Sequence, residues 1–285
     1  MQPFDYVRPS TLPEVLALLE EHGSTACLIA GGTDVVVGLR NRSLRPGVVI
    51  DLKRVGELNS GIVESGQWLR IGATTTMAQI VEDATIRSRF PALGDSAFTV
   101  GSIQIRNRAT LTGNLCHASP AADTAPALLV YGAVVNLAST RGARRVNVDE
   151  FFLGPRQTAL ESGELVTSID LPMPSGRRAA TFARITRRRG VDLATMSVCC
   201  LVDPNGATRF AFGAVGPRPF LAIDDTGVLQ DPNATEVARD GVLRRLLTRA
   251  SPISDVRGSR EYRAAMLLVM SRRVLGASIE RLRAS

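Results

Sequence analysis

Two separated loops hold the residue types from which a ligand site could be built. The first is Ala30-Gly31-Gly32-Thr33-Asp34, which follows the apolar run Cys27-Leu28-Ile29-Ala30. Consecutive glycines allow positive φ and let main-chain N–H groups approach a ligand without interference from Cβ. Such amides form anion-binding concavities suited to a pyrophosphate. Thr33 adds a hydroxyl donor, while the Asp34 carboxylate suits the loop's own amides better than it suits an anion. The pattern is neither GxGxxG nor GxxxxGK[ST], and a Gly-Gly pair alone serves equally well as a plain tight turn. The second loop runs from Gln104-Ile105-Arg106-Asn107 to Gly113-Asn114. The thirteen residues from Thr110 to Ala122 carry small polar donors of the kind a phosphate and a sugar need. Asp123, just beyond, can accept hydrogen bonds from sugar hydroxyls or cap the helix that follows, and the two roles are compatible.

The elements that must position these loops follow from local patterning. Ser10-Thr11-Leu12-Pro13-Glu14, an apolar stripe (Val15, Leu16, Leu18, Leu19) and Gly23 describe a capped helix. Residues 27–30 form a buried strand that runs into the glycine loop, and residues 48–52 form a second. Beyond Gly61, residues 62–64 and 68–72 are expected as strands, with Trp68 near a surface. Residues 76–81 suit a helix behind a Thr cap, residues 99–114 a polar stretch, and residues 124–130 another helix. Strands follow at 134–137, 165–171 and 180–184. Pro172-Met173-Pro174-Ser175-Gly176 punctuates the pattern and marks a boundary. Strands near 193–202 and 208–215 and Arg-rich helices at about 235–249 and 258–283 complete an α+β reading.

Composition narrows the function classes. The chain has 285 residues, 45% hydrophobic and 21% charged, ordinary for a soluble globular protein and unlike disordered, collagen-like or disulfide-stapled chains. Lys+Arg 34 against Asp+Glu 27 gives +7, with a pI of about 10.0. Lys53 is the one lysine. A high pI suggests nucleic acid, but the arginine clusters (177–178, 187–189, 244–245, 272–273) are not interleaved with aromatics, which make up only 5%. The charge is therefore assigned mostly to solvated surface, with 187–189 as a turn or subunit contact, and no nucleic-acid partner is expected. Cys27, Cys116, Cys199, Cys200, His22 and His117 lack the spacing of a zinc or iron–sulfur site, so no metal is expected. Cys199-Cys200 should alternate between the two faces of a strand as buried, reduced thiols. No signal-peptide pattern and no long apolar stretch are present, which predicts a cytoplasmic protein without membrane insertion.

Taken in order, these stretches resemble the FAD-binding medium subunit of the molybdenum hydroxylases, the group of carbon monoxide dehydrogenase and xanthine dehydrogenase. The likeness rests on residues 28–34, on 104–107 through Gly113-Asn114, and on Ala118-Ser119-Pro120-Ala121-Ala122-Asp123 with Pro126 and Leu128-Leu129. It continues in residues 164–172, 189–194 and 255–263, so it covers essentially the whole chain. The resemblance implies two FAD-binding subdomains of the p-cresol methylhydroxylase type, about 1–55 and 56–175, and a C-terminal α+β domain over 176–285.

By the same resemblance, Leu28, Ile29, Ala30, Gly31, Gly32, Thr33 and Asp34 hold the FAD pyrophosphate. Thr110, Gly113 and Asn114 form a second phosphate and ribityl contact, and Asp123 binds a sugar or ribityl hydroxyl. Val100 falls beside the cofactor, Val166 at a backbone contact to the flavin ring, and Arg184 where some relatives place a lysine near the flavin. Relatives carry two glycines before the asparagine, whereas this chain has Thr112-Gly113-Asn114. If position 112 needs positive φ, Thr112 is strained and FAD binding is reshaped or weakened. The implied function is an oxidoreductase subunit in a hetero-oligomer. A molybdopterin-binding large subunit and a [2Fe–2S] small subunit deliver electrons to FAD on this chain, and NAD, a quinone or oxygen removes them. The alternative is a stand-alone FAD-dependent oxidase or dehydrogenase acting on its own small substrate.

Overall fold

The computed structural model describes residues 2–284. A three-stranded parallel sheet opens the chain, with β1 (Asp5–Val7), β2 (Ala26–Ile29) and β3 (Val48–Asp51) in the order β1-β3-β2. Parallel neighbours need crossovers, supplied by α1 (Leu12–His22) and α2 (Val35–Arg40). α1 starts at a capping box: the Glu14 amide donates to Thr11 Oγ1 (3.4 Å), and Glu14 Oε2 accepts from the Ser10 (2.7 Å) and Thr11 (3.3 Å) amides. The central strand β3 is fully buried. Strand β2, expected to be buried, is only half-buried because it lies at the sheet edge and a cavity opens over Leu28.

The second sheet is antiparallel. It comprises β4 (Ile62–Ser65), β5 (Trp68–Gly72), β6 (Val134–Ser139), β7 (Gly142–Asn147) and, after the small ribbon of β8 (Phe152–Gly154) and β9 (Gln157–Thr158), β10 (Leu165–Pro172). The order is β4-β5-β10-β6-β7. Between β5 and β6 run α3 (Met77–Glu82), α4 (Ala84–Arg89), α5 (Pro91–Phe98), α6 (Ile103–Arg106), α7 (Leu111–His117) and α8 (Ala125–Tyr131); α9 (Val148–Phe151) follows β7. The polar stretch at 99–114 therefore contains two short helices, capped by Ser102 and Thr110. Every residue of α8 is buried. Its N-cap is Thr124, so Asp123 is released from the capping role. Trp68 is half-buried beneath the Arg145 guanidinium, 4.7 Å from the ring centre.

The third sheet is an antiparallel meander of β11 (Ala179–Ile185), β12 (Met196–Val202), β13 (Thr208–Gly213) and β14 (Phe220–Asp224), backed by α10 (Glu236–Leu246) and α11 (Arg260–Ala284). β12 is buried on both faces. Cys199 and Leu201 join the core around α8, while Met196, Val198, Cys200 and Val202 join the core under α10 and α11. The two cysteines thus alternate as expected from strand geometry. Burial pushes both thiols up, and all four cysteines are unbonded.

Candidate cofactor site

The two loops meet at their backbones. A Cβ on Gly31 would lie 2.1 Å from the Arg108 carbonyl oxygen, so only glycine permits this approach. Gly32 has φ +79°, and a Cβ there would lie 2.9 Å from the Ile29 side chain. Among the described residues, the amides of Gly31, Gly32, Thr33 and Asp34 donate to no protein acceptor. They line one end of a cavity of about 1030 Å³, at the upper end of ordinary ligand sites and suited to an extended dinucleotide. Asp34 does not bond the loop amides as expected. It is exposed, its carboxylate caps nothing, and the amides stay available. Lys53 spans from Asp51 (2.6 Å) to the Ala30 carbonyl (3.5 Å), tying the loop to the end of β3.

The other wall comes from α7 and the segment after it. Thr110 Oγ1 accepts from the Gly113 amide at 3.0 Å, which leaves the Thr110 hydroxyl proton for a ligand. Asn114 Oδ1 accepts from Thr124 Oγ1 at 2.8 Å, and this fixes the Asn114 NH2 as the free donor. Thr112 lies inside α7 without positive φ, so the strain anticipated there is absent. Positive φ appears instead at Ala118 and Arg156, joined by an Arg156 N–H to Ala118 O bond of 3.0 Å. Asp123 is buried. Its Oδ2 accepts from Arg184 Nη1 at 2.6 Å, and no protein hydrogen bond reaches Oδ1. Burial raises its carboxyl to about 6 against the opposing pull of Arg184. A β-bulge between Val166 and Ser168 sets the β10 backbone at the cavity wall.

Leu28, Ala30, Gly31, Gly32, Thr33, Asp34, Val100, Thr110, Gly113, Asn114, Asp123 and Val166 all line the cavity. Ile29 does not, because strand alternation turns it under Gly32. Arg184 also stands off the wall and reaches the site only through Asp123. Sequence reasoning missed Cys116, Arg156, Arg188, Val191 and Leu193 as lining residues. Arg188 belongs to the run assigned to a solvated turn or a subunit contact. It is exposed there, yet it borders the cavity mouth. Cys116 offers no thiolate, since burial pushes its thiol up to about 12.

The donor set of unpaired amides, hydroxyls, one side-chain amide and one carboxylate fits a pyrophosphate joined to polyhydroxyl groups. Comparison with known proteins agrees with this chemistry. Residues 2–174 match the family model described as the FAD binding domain in molybdopterin dehydrogenase. The chain belongs to that family. Residues 181–278 match the CO dehydrogenase flavoprotein C-terminal domain. The glyceraldehyde dehydrogenase medium chain of Sulfolobus acidocaldarius is 32% identical over 273 residues, covering 94% of this chain and 95% of that protein. The carbon monoxide dehydrogenase medium chain of Hydrogenophaga pseudoflava is 30% identical over 279 residues, 96% of each. A solved carbon monoxide dehydrogenase from the same organism superposes with a TM-score of 0.90 at 29% identity over 99% of both chains. This FAD-family chain therefore has the α+β fold expected of it.

Proposed function

We propose that this chain is the FAD-carrying subunit of a molybdenum hydroxylase-type dehydrogenase. It receives electrons from a [2Fe–2S] partner subunit, fed in turn by a molybdopterin-binding large subunit, and passes them to an external acceptor. The observation that carries the reading is the contact at Gly31, which brings four unpaired amides and the Thr110–Asn114 wall onto one cavity. When bound, FAD supplies a two-electron store that can also pass electrons singly. The chain's residues bind and orient it. The amides of residues 31–34 take the pyrophosphate, Thr110 and Asn114 donate to phosphate or ribityl oxygens, and Asp123 accepts from a hydroxyl. Val100 and Val166 wall off water beside the ring, and Arg184 holds Asp123 in place from behind.

The working division of the chain is 1–175 for FAD binding, with subdomains at about 1–55 and 56–175, and 176–285 for the C-terminal part. No helix among the described residues is long and apolar enough to cross a membrane, and the setting proposed is cytoplasmic. The test is functional separation. FAD-loaded chain alone should stay oxidised with candidate substrates and become reduced only when the molybdenum and iron–sulfur subunits are added. Reduction of the isolated chain by a small substrate would favour a self-contained flavoenzyme instead.

A further inference from the structure

A second cleft, of about 330 Å³, shares no lining residue with the cofactor cavity. It lies between α4–α5 on one side and β11 with the end of α11 on the other. Its walls carry Arg87, Arg89, Arg178 and Arg281, together with Tyr131, and no carboxylate. Among the described residues, Arg87, Arg89 and Arg178 form no ion pair, while Arg281 pairs with Asp95 at 3.4 Å and donates from Nη1 to the Ala180 carbonyl at 2.7 Å. Arg178 is part-buried over the Phe90 and Tyr131 rings, 5.4 Å from each centre. Its Nη2 donates to the Pro172 carbonyl (3.0 Å), but its buried Nε has no partner. Burial, and then the like charge of Arg209, pull Arg178 below the usual arginine value, although Tyr131 and Asp203 act the other way. The Tyr131 oxygen accepts from the Ala92 amide at 3.2 Å, leaving its O–H proton free, and burial keeps that hydroxyl protonated.

Four arginines lining one cleft, with the Asp95 carboxylate on Arg281 as their one ion-pair partner among the described residues, leave an excess of positive charge that a bound anion would offset. Arginine forks match the paired oxygens of a phosphate, and the phenol adds a neutral donor. The volume exceeds that of a bare oxyanion and reaches the lower range of small-molecule sites. We propose that this cleft binds a small phosphorylated metabolite, with Arg87, Arg89, Arg178 and Arg281 on the phosphate and the remaining space taken by its organic part. The ligand bridges segments far apart in sequence, residues 87–91 with residues 178–180 and 281. Its occupancy therefore couples the helices of the flavin-side core to the C-terminal helix.

Titration calorimetry of the full chain with inorganic phosphate tests this. FAD is kept in excess to block the cofactor cavity, and ionic strength is held constant with chloride. One saturable site is expected. The double substitution Arg87→Ala/Arg89→Ala, at exposed positions where folding should survive, should weaken phosphate binding at least about tenfold. Asp95→Asn should tighten it, because Arg281 loses its competing carboxylate. A phosphomonoester such as glycerol 3-phosphate should bind more tightly than inorganic phosphate, because the cleft also holds its organic part. Heat that disappears at matched ionic strength, or a double variant that binds phosphate like the parent, overturns the proposal. So does a site that takes only an acidic segment of a partner subunit and never phosphate.

Discussion

At Asp123, burial raises the carboxyl to about 6 while Arg184, 2.6 Å away, opposes the rise. A hydroxyl donor from the cofactor prefers the ionised carboxylate. FAD affinity should therefore be constant above pH 7 and fall below about pH 6, by up to about tenfold per pH unit. Flavin fluorescence titrations at pH 7.5 and pH 5 measure this, and Asp123→Asn should flatten the profile. The linkage for stability has the opposite sense. A raised folded-state value means that Asp123 favours the cofactor-free fold below its ordinary carboxylate range, and this contribution is lost as pH rises through about 6. Gly31 is the second decisive residue. Gly31→Ala places a Cβ 2.1 Å from the Arg108 carbonyl and must part the two loops. It should weaken FAD binding at least about tenfold, about 1.4 kcal/mol, with an unchanged circular dichroism spectrum. Both residues were legible in sequence, one as a glycine pair after a strand and the other as a carboxylate after a polar loop. Arg156 and Arg188 were not, because they reach the cavity only through tertiary folding and carry no local pattern, and Val191 and Leu193 lie in the stretch 189–194 that carries the family likeness without any local sign of a place in the site.

Among the elements, those with strong periodicity or caps were readable: α1 and α3 with their capping boxes, and β10 and β12 with their apolar runs. Short pieces such as β1, α6 and α9 offer too few residues for a period to register. The polar chemistry that fixes the elements was also hidden, because it pairs residues distant in sequence. Asp170, buried in the middle of β10, takes both Arg70 nitrogens at 2.9 Å and has Arg145 at 3.5 Å. Burial alone would raise its carboxyl, but Arg70 and Arg145 bring it below the usual range. The start of α11 depends on Arg263, 1% exposed, which donates to Asp255 (2.6 Å) and to the Ala214 carbonyl (2.8 Å). Asp255→Ala leaves that guanidinium buried without its carboxylate, and should cost about 3–5 kcal/mol in urea unfolding. By contrast, Asp240→Ala breaks the solvent-facing pair with Arg272 between α10 and α11 and should leave the urea midpoint nearly unchanged. Asp255 is held well below the usual carboxylate range by Arg257, with Arg263 adding to the effect. Its stabilising contribution is therefore present above about pH 4 and is lost as the solution is acidified.

On the scale of the whole molecule, the +7 charge resolves into parts with different duties. Arginines pair with carboxylates across β5, β10 and the start of α11, one stands behind Asp123, and a group in which only Arg281 has a carboxylate partner among the described residues lines the second cleft. The four unpaired amides that face the cofactor cavity belong to Gly31, Gly32, Thr33 and Asp34, so the phosphate recognition proposed there rests on backbone placed by glycine, with Arg156 and Arg188 elsewhere on the wall. That placement is the central claim, and a direct FAD titration of the purified, flavin-stripped chain tests it most sharply. The predicted result is one FAD per chain with quenched flavin fluorescence, and binding at least about tenfold weaker in Gly31→Ala at pH 7.5. Absence of FAD uptake by the folded parent chain, or equal affinity in the Gly31→Ala variant, would contradict it.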